Sequence, residues 1–166
     1  MKYVRMTALV KSMLAAAVLV SQLVVSAHAG GGSEVNKGDN GVAIKGYDPV
    51  SYFTDGAPAK GSAEHSVDWK GATWQFASAA NRDAFAADPE KFAPAYGGYC
   101  AVGTRMGLKI DIQPDQFKIV DNTLYINSST NAHNLWLQDV PGNIATANQN
   151  WPDIKFKTAA ELKAAQ

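Results

Sequence analysis

The stretch His65-Ser66-Val67-Asp68-Trp69-Lys70-Gly71-Ala72-Thr73-Trp74-Gln75-Phe76 alternates apolar and polar residues on either side of a Lys-Gly pair. That is the pattern of two strands joined by a tight turn. If Lys70 and Gly71 form a two-residue turn, Trp69 faces Ala72, Val67 faces Trp74 and His65 faces Phe76, and strand parity puts all six on one side of the hairpin. Trp69, Trp74, Val67 and Phe76 are therefore expected in the core, with His65 at the edge of the same face.

Working outward, Phe117 to Asn127 repeats the logic with Asp121-Asn122 as the turn, Ile119 opposite Leu124 and Phe117 opposite Ile126. Between the hairpins, Ser78 is a natural N-cap for a helix over Ala79 to Ala87, stopped by Asp88-Pro89. A short helix around Glu90 to Ala93 is expected next. After the second hairpin, Ser129 or Thr130 caps a helix through Leu135, Trp136 and Leu137, which Pro141-Gly142 interrupts and which resumes from Asn143 to Asn148. Thr158-Ala159-Ala160-Glu161 is a capping box for a last helix. Strand pairs separated by helices, without βαβ repeats, predict an α+β fold: a small antiparallel sheet of two hairpins with several short helices.

At the N-terminus, Lys2, Arg5 and Lys11 precede an apolar run from Met13 to Val25 that ends in Ala27-His28-Ala29. This is a secretory pattern with cleavage expected after Ala29 and a periplasmic destination. The core is too short and too interrupted for a membrane span. Residues 30 to 41, rich in Gly, Ser, Asn and Asp, are expected as a flexible leader, followed by a single domain over 42 to 166. Losing Lys2, Arg5 and Lys11 turns 15 basic and 15 acidic residues into 12 against 15. A mildly acidic chain has no electrostatic source of affinity for nucleic acid or for an anionic membrane surface. Its single cysteine, Cys100, excludes an internal disulfide and is expected to be buried, liganding or reactive; if accessible, it would permit a disulfide-linked dimer.

Several of these segments together resemble the YHS domain. Asp48-Pro49-Val50 is similar to the family's opening motif, and His65-Ser66 to the His-Ser of its name, with Glu64 where a tyrosine is usual. Trp69 to Phe76 resembles its glycine-centred aromatic hairpin, and Phe85 with Asp88-Pro89-Glu90-Lys91-Phe92 its helix and closing pattern. Tyr96-Gly97-Gly98-Tyr99-Cys100-Ala101, Leu124 to Asn127 and Asn150-Trp151-Pro152 resemble the extended form of exported, stand-alone members. The resemblance implies heavy-metal handling, copper above all. Metal-linked versions carry cysteines at the positions occupied here by Ser51, Ala77 and Asn81, so a thiolate-rich site is excluded.

The soft-metal donors left after cleavage are Cys100, Met106, His65 and His133. Cys100, His65 and Met106 are the expected metal ligands, with a copper ion as the expected cofactor and none otherwise. Against this stands a packed thiol: unpaired cysteines are commonly small buried hydrophobes. Cys100 with His65 or His133 and Asp48 or Asp111 holds the groups of a nucleophilic enzyme, but nothing in their spacing demands one, and the protein is expected not to be an enzyme. Asp48, Tyr47, Tyr52 and Lys109 are candidate pocket residues, read first as turn-forming or packing groups. Two functions remain open: metal-ion binding or trafficking, and a module for a small ligand or a protein partner that has lost the family's metal cysteines. An accessible Cys100 near His65 or Met106 would favour the first; a buried thiol beside an aromatic cleft would favour the second.

Overall fold

A computed structural model describes residues 31–166. The expected signal peptide and its cleavage site lie outside the described residues. Among the described residues, three two-stranded antiparallel ladders and seven α-helices make a mixed α+β fold, with three small sheets rather than one. The additional ladder joins β1 (Tyr47–Asp48) to β2 (Ala59–Lys60) around α1 (Ser51–Thr54). Strands of two residues leave no readable alternation, which is why the sequence did not announce them.

The first hairpin joins β3 (Ser62–Trp69) to β4 (Ala72–Phe76). Trp69 pairs with Ala72 and Val67 with Trp74, as the turn predicts. Lys70 and Gly71 both have positive φ, the geometry of a turn that matches strand twist. The expected pairing of His65 with Phe76 is corrected: Ser62 takes that place, and a bulge separates it from Ser66. Local serine bonds build the bulge, the Glu64 amide donating to Ser62 Oγ at 3.2 Å and Ser66 Oγ donating to Ala63 O at 3.2 Å. The second hairpin, β5 (Phe117–Val120) and β6 (Thr123–Ile126), has the predicted register, with positive φ at Asp121 and Asn122.

Ser78 caps α2 (Ala79–Ala87) by accepting from the Asn81 amide, and Asp88 caps α3 (Pro89–Phe92), which starts one residue earlier than expected. Cys100 precedes α4 (Ala101–Arg105), and Ser129 caps α5 (Thr130–Gln138). Pro141 does not interrupt the next helix; it sits in the first turn of α6 (Val140–Ile154), where its missing N–H costs nothing. Asp139 accepts from the Gly142 amide to cap α6, while Asn143 Nδ2 donates to Trp136 O at 2.9 Å and closes the end of α5. The helix runs past the expected Asn148 and through Pro152. The predicted capping box opens α7 (Ala159–Ala164).

Aromatic pairs fill much of the core. Trp74 stacks on Phe85 of α2 with ring centroids 5.3 Å apart, and Tyr125 of β6 packs on Trp136 of α5 at 5.1 Å. Tyr96 lies 5.9 Å from both Tyr125 and Trp151 and so links the second pair to α6.

The stretch expected as a leader takes part in the packing. Val35 is 1 % exposed, the Asn36 amide donates to Gly97 O at 2.9 Å, and Tyr99 Oη donates to Ser33 O and Val35 O. The packed unit therefore reaches back beyond Val42, because one buried apolar residue and these three hydrogen bonds suffice to seat so short a segment. Gly97 has φ +61°, and a Cβ there would run into Glu34 O. Gly97→Ala is expected to cost about 1–3 kcal/mol in urea unfolding, and a neutral result would show that residues 33–36 do not pack against it.

Candidate ligand-binding site

The expected metal ligands do not assemble into an accessible site. Cys100 is 1 % exposed; its Sγ accepts from the Gly103 amide at 3.4 Å and its thiol donates to Asn127 Oδ1 at 3.8 Å. Met106 is 53 % exposed at the end of α4, whose packing is against α5, α6 and the turn at Ala95–Gly98 rather than against β3. His65 sits in the bulge of β3 with a buried Nδ1 that has no hydrogen-bond partner. Among the described residues, no group of three or more His, Cys, Asp and Glu is placed to hold a metal ion. Cys100 behaves as a helix-capping, packed thiol.

Ser51, Ala77 and Asn81, the positions at which the resemblance leads one to look for thiolates, do converge, but on a carboxylate. Asp48 is fully buried. Its Oδ1 accepts from the amides of Val50 at 2.8 Å and Ser51 at 3.4 Å, and its Oδ2 accepts from the Ala77 amide at 2.9 Å and Asn81 Nδ2 at 2.6 Å. Ser51 Oγ then donates to Asp48 O at 2.8 Å and accepts from the Ala59 amide at 3.1 Å. Four donors saturate the carboxylate, which is how a buried charge is held without a counter-ion. Residues 51, 77 and 81 are thus occupied in structural bonding.

Tyr52 Oη donates to Pro114 O at 3.0 Å, and burial raises its ionisation well above the usual phenol value. Lys109 is 6 % exposed, and its ammonium donates to three carbonyls: Ser33 at 2.8 Å, Lys155 at 2.5 Å and Lys157 at 2.8 Å. It also lies 4.9 Å from the centre of the Tyr99 ring. These two pocket candidates are therefore committed to packing.

A cleft of about 250 Å³ opens instead beside the turn of the first hairpin. Trp69, Lys70 and Trp74 come from the hairpin, Glu90 from α3, Tyr96 from the turn that follows, and Trp151 from α6. Glu34 and Val35 close one side. Strand parity puts Trp69 and Trp74 on the same face, with rings 5.8 Å apart, and Trp69 meets Phe85 edge-on at 5.6 Å. Tyr96 Oη donates to Asn148 Oδ1 at 3.0 Å, which fixes its ring against α6. Lys70 Nζ stands 4.4 Å from the centre of the Trp69 ring and pairs with Glu90 at 3.0 Å and Glu34 at 3.5 Å. Rigid aromatic walls with a few charged groups at the rim suit a small ligand better than a reaction. The sequence pointed to Trp69 and Trp74, but nothing local showed that Glu34, Glu90, Tyr96 and Trp151 would meet them.

Residues 50–96 match the family model of the YHS domain. No curated protein and no solved structure matches the chain.

Proposed function

We propose that the chain, whose residues 50–96 match the family model of the YHS domain, is a non-enzymatic, exported binding module that takes a small ligand in the aromatic cleft beside Trp69. The N-terminal pattern of Lys2, Arg5, Lys11 and the apolar run to Val25 supports export to the periplasm. The observation that carries the binding reading is the cleft itself, walled by Trp69, Trp74, Tyr96 and Trp151. Copper handling, the first expectation from the resemblance, has less support: Cys100 is enclosed, Met106 points to solvent, and Ser51, Ala77 and Asn81 bond to Asp48.

A neutral fluorescent probe of apolar sites, 1-aminoanthracene, is expected to bind the signal-free protein saturably and with one-to-one stoichiometry. The cleft-filling variant Ala95→Trp is expected to abolish that signal, since Ala95 lines the cleft. A Cu(I) competition titration on the reduced protein and on Cys100→Ala supplies the counter-test. Stoichiometric copper binding lost in Cys100→Ala, with no saturable probe binding, would overturn the cleft reading and restore metal handling.

A further inference from the structure

The cleft already contains a cation. Lys70 Nζ lies over the Trp69 ring at 4.4 Å and is shared between two carboxylates, Glu90 at 3.0 Å and Glu34 at 3.5 Å. Among the charged groups lining the cleft, two acids thus face one base. An ammonium over an indole face gains from the ring quadrupole, most of all when it is poorly hydrated. Resting on the reading of this cleft as a ligand site, we propose that it takes a small organic ammonium ion, and that Lys70 holds the cation position when no ligand is bound.

The residues favour this class over others. Two carboxylates at the rim repel an anion. Indole and phenol rings are poor metal ligands, and the cleft brings no histidine or cysteine to help Glu34 and Glu90. A quaternary ammonium asks for no hydrogen bonds and offers charge over apolar bulk, which is what Trp69, Tyr96 and Trp151 beside Glu34 and Glu90 complement. Displacing Lys70 costs little: its side chain is one-third exposed, and a solvent-facing ion pair is weak.

Lys70 sits at positive φ, the first central position of the turn, where asparagine before glycine is favoured. Lys70→Asn therefore removes the resident ammonium while keeping the hairpin. Choline and its uncharged carbon isostere, 3,3-dimethyl-1-butanol, are titrated into wild type, Lys70→Asn, and Lys70→Asn combined with Glu34→Gln and Glu90→Gln, reading the tryptophan indole N–H shifts by NMR. Choline is expected to bind Lys70→Asn about fivefold more tightly than wild type, and to lose at least that factor when both glutamates are neutralised. Equal binding of choline and the isostere would overturn the cation assignment while leaving the cleft a ligand site. Equal affinity of choline for wild type and Lys70→Asn would overturn the role given to Lys70. Failure of choline, the isostere and 1-aminoanthracene alike would remove the cleft reading with it.

Discussion

Replacing Lys109 with methionine is expected to lower the unfolding free energy by about 3–5 kcal/mol. The reason lies in what the substitution leaves behind. Methionine fills a similar volume, but the carbonyls of Ser33, Lys155 and Lys157 lose the ammonium that all three share. Those carbonyls come from both ends of the described chain, so Lys109 pins residues 33–36 and the end of α6 to one point. The Val35 side of the cleft hangs on the same pin, and binding of 1-aminoanthracene is expected to weaken together with stability. A loss below about 1 kcal/mol in urea unfolding would mean that water replaces the lysine at those carbonyls, and it would sink the argument.

The burial of the same lysine gives the stability a pH dependence. Burial lowers its ionisation from the ordinary 10.5 to about 8, with Glu34 and Glu161 pulling the other way. Between those two values the unfolded chain keeps a proton that the native protein has released, so stability contributed through Lys109 rises with pH across that window and is lost as pH falls through 8. Burial raises Tyr52, Tyr96, Tyr99 and Tyr125, and their effect runs in the opposite direction at high pH. It is common to wild type and Lys109→Met, so the difference between the two isolates the lysine. Wild type is expected to gain on the variant from neutral pH toward about pH 10; a gap that narrows would show the carbonyl cradle outweighing burial.

What the sequence made legible was local. Lys70-Gly71 and Asp121-Asn122 announced their turns because two-residue connections demand positive φ at both positions, and the alternating residues beside them fixed the register nearest each turn. Ser78, Ser129 and Thr158 announced their helices by side-chain bonds three residues long. The register of His65 failed because the bulge arises from Ser62 and Ser66 bonding their own backbone, a choice that alternation does not encode. Pro141 is ambiguous in the sequence because the same residue breaks a helix interior and opens a helix start, and only the Asp139 cap decides which. Residue type singles out the expected metal ligands, but type says nothing about enclosure: Cys100 caps a buried turn while Met106, six residues on, faces solvent. The cleft was illegible for the reason that any site built from residues 34, 69, 90, 96 and 151 is illegible. Its members meet only through long-range packing.

Asp48→Ala is expected to be similarly costly, at about 3–4 kcal/mol, and to act on function through structure. It would strand the buried amides of Val50 and Ser51 and take from the Ala77 amide and the half-buried Asn81 side chain the acceptor that holds them in place. Asp48→Asn separates charge from shape. Its remaining oxygen can still serve Val50 and Ser51, but its amide then meets the Ala77 N–H, donor against donor. A rotated Asn81 amide would relieve one of the two clashes, so the loss is expected to fall between wild type and Asp48→Ala. Adding Asn81→Asp to Asp48→Asn returns a carboxylate to the pair and is expected to recover part of the stability, leaving only the Ala77 amide unserved. An Asp48→Asn protein as stable as wild type would show that the carboxylate is not what organises this corner. Because Ala77 follows β4 directly and Asn81 lies in the first turn of α2, the Asp48 bonds set where the hairpin ends and where the helix carrying Phe85 begins. Phe85 supports both Trp69 and Trp74 from behind, so loosening Asp48 is expected to blur the aromatic wall of the cleft and to weaken 1-aminoanthracene binding in the same order as stability. The Asp48 corner, though remote from the cleft's rim, thus anchors the wall against which a ligand would lie.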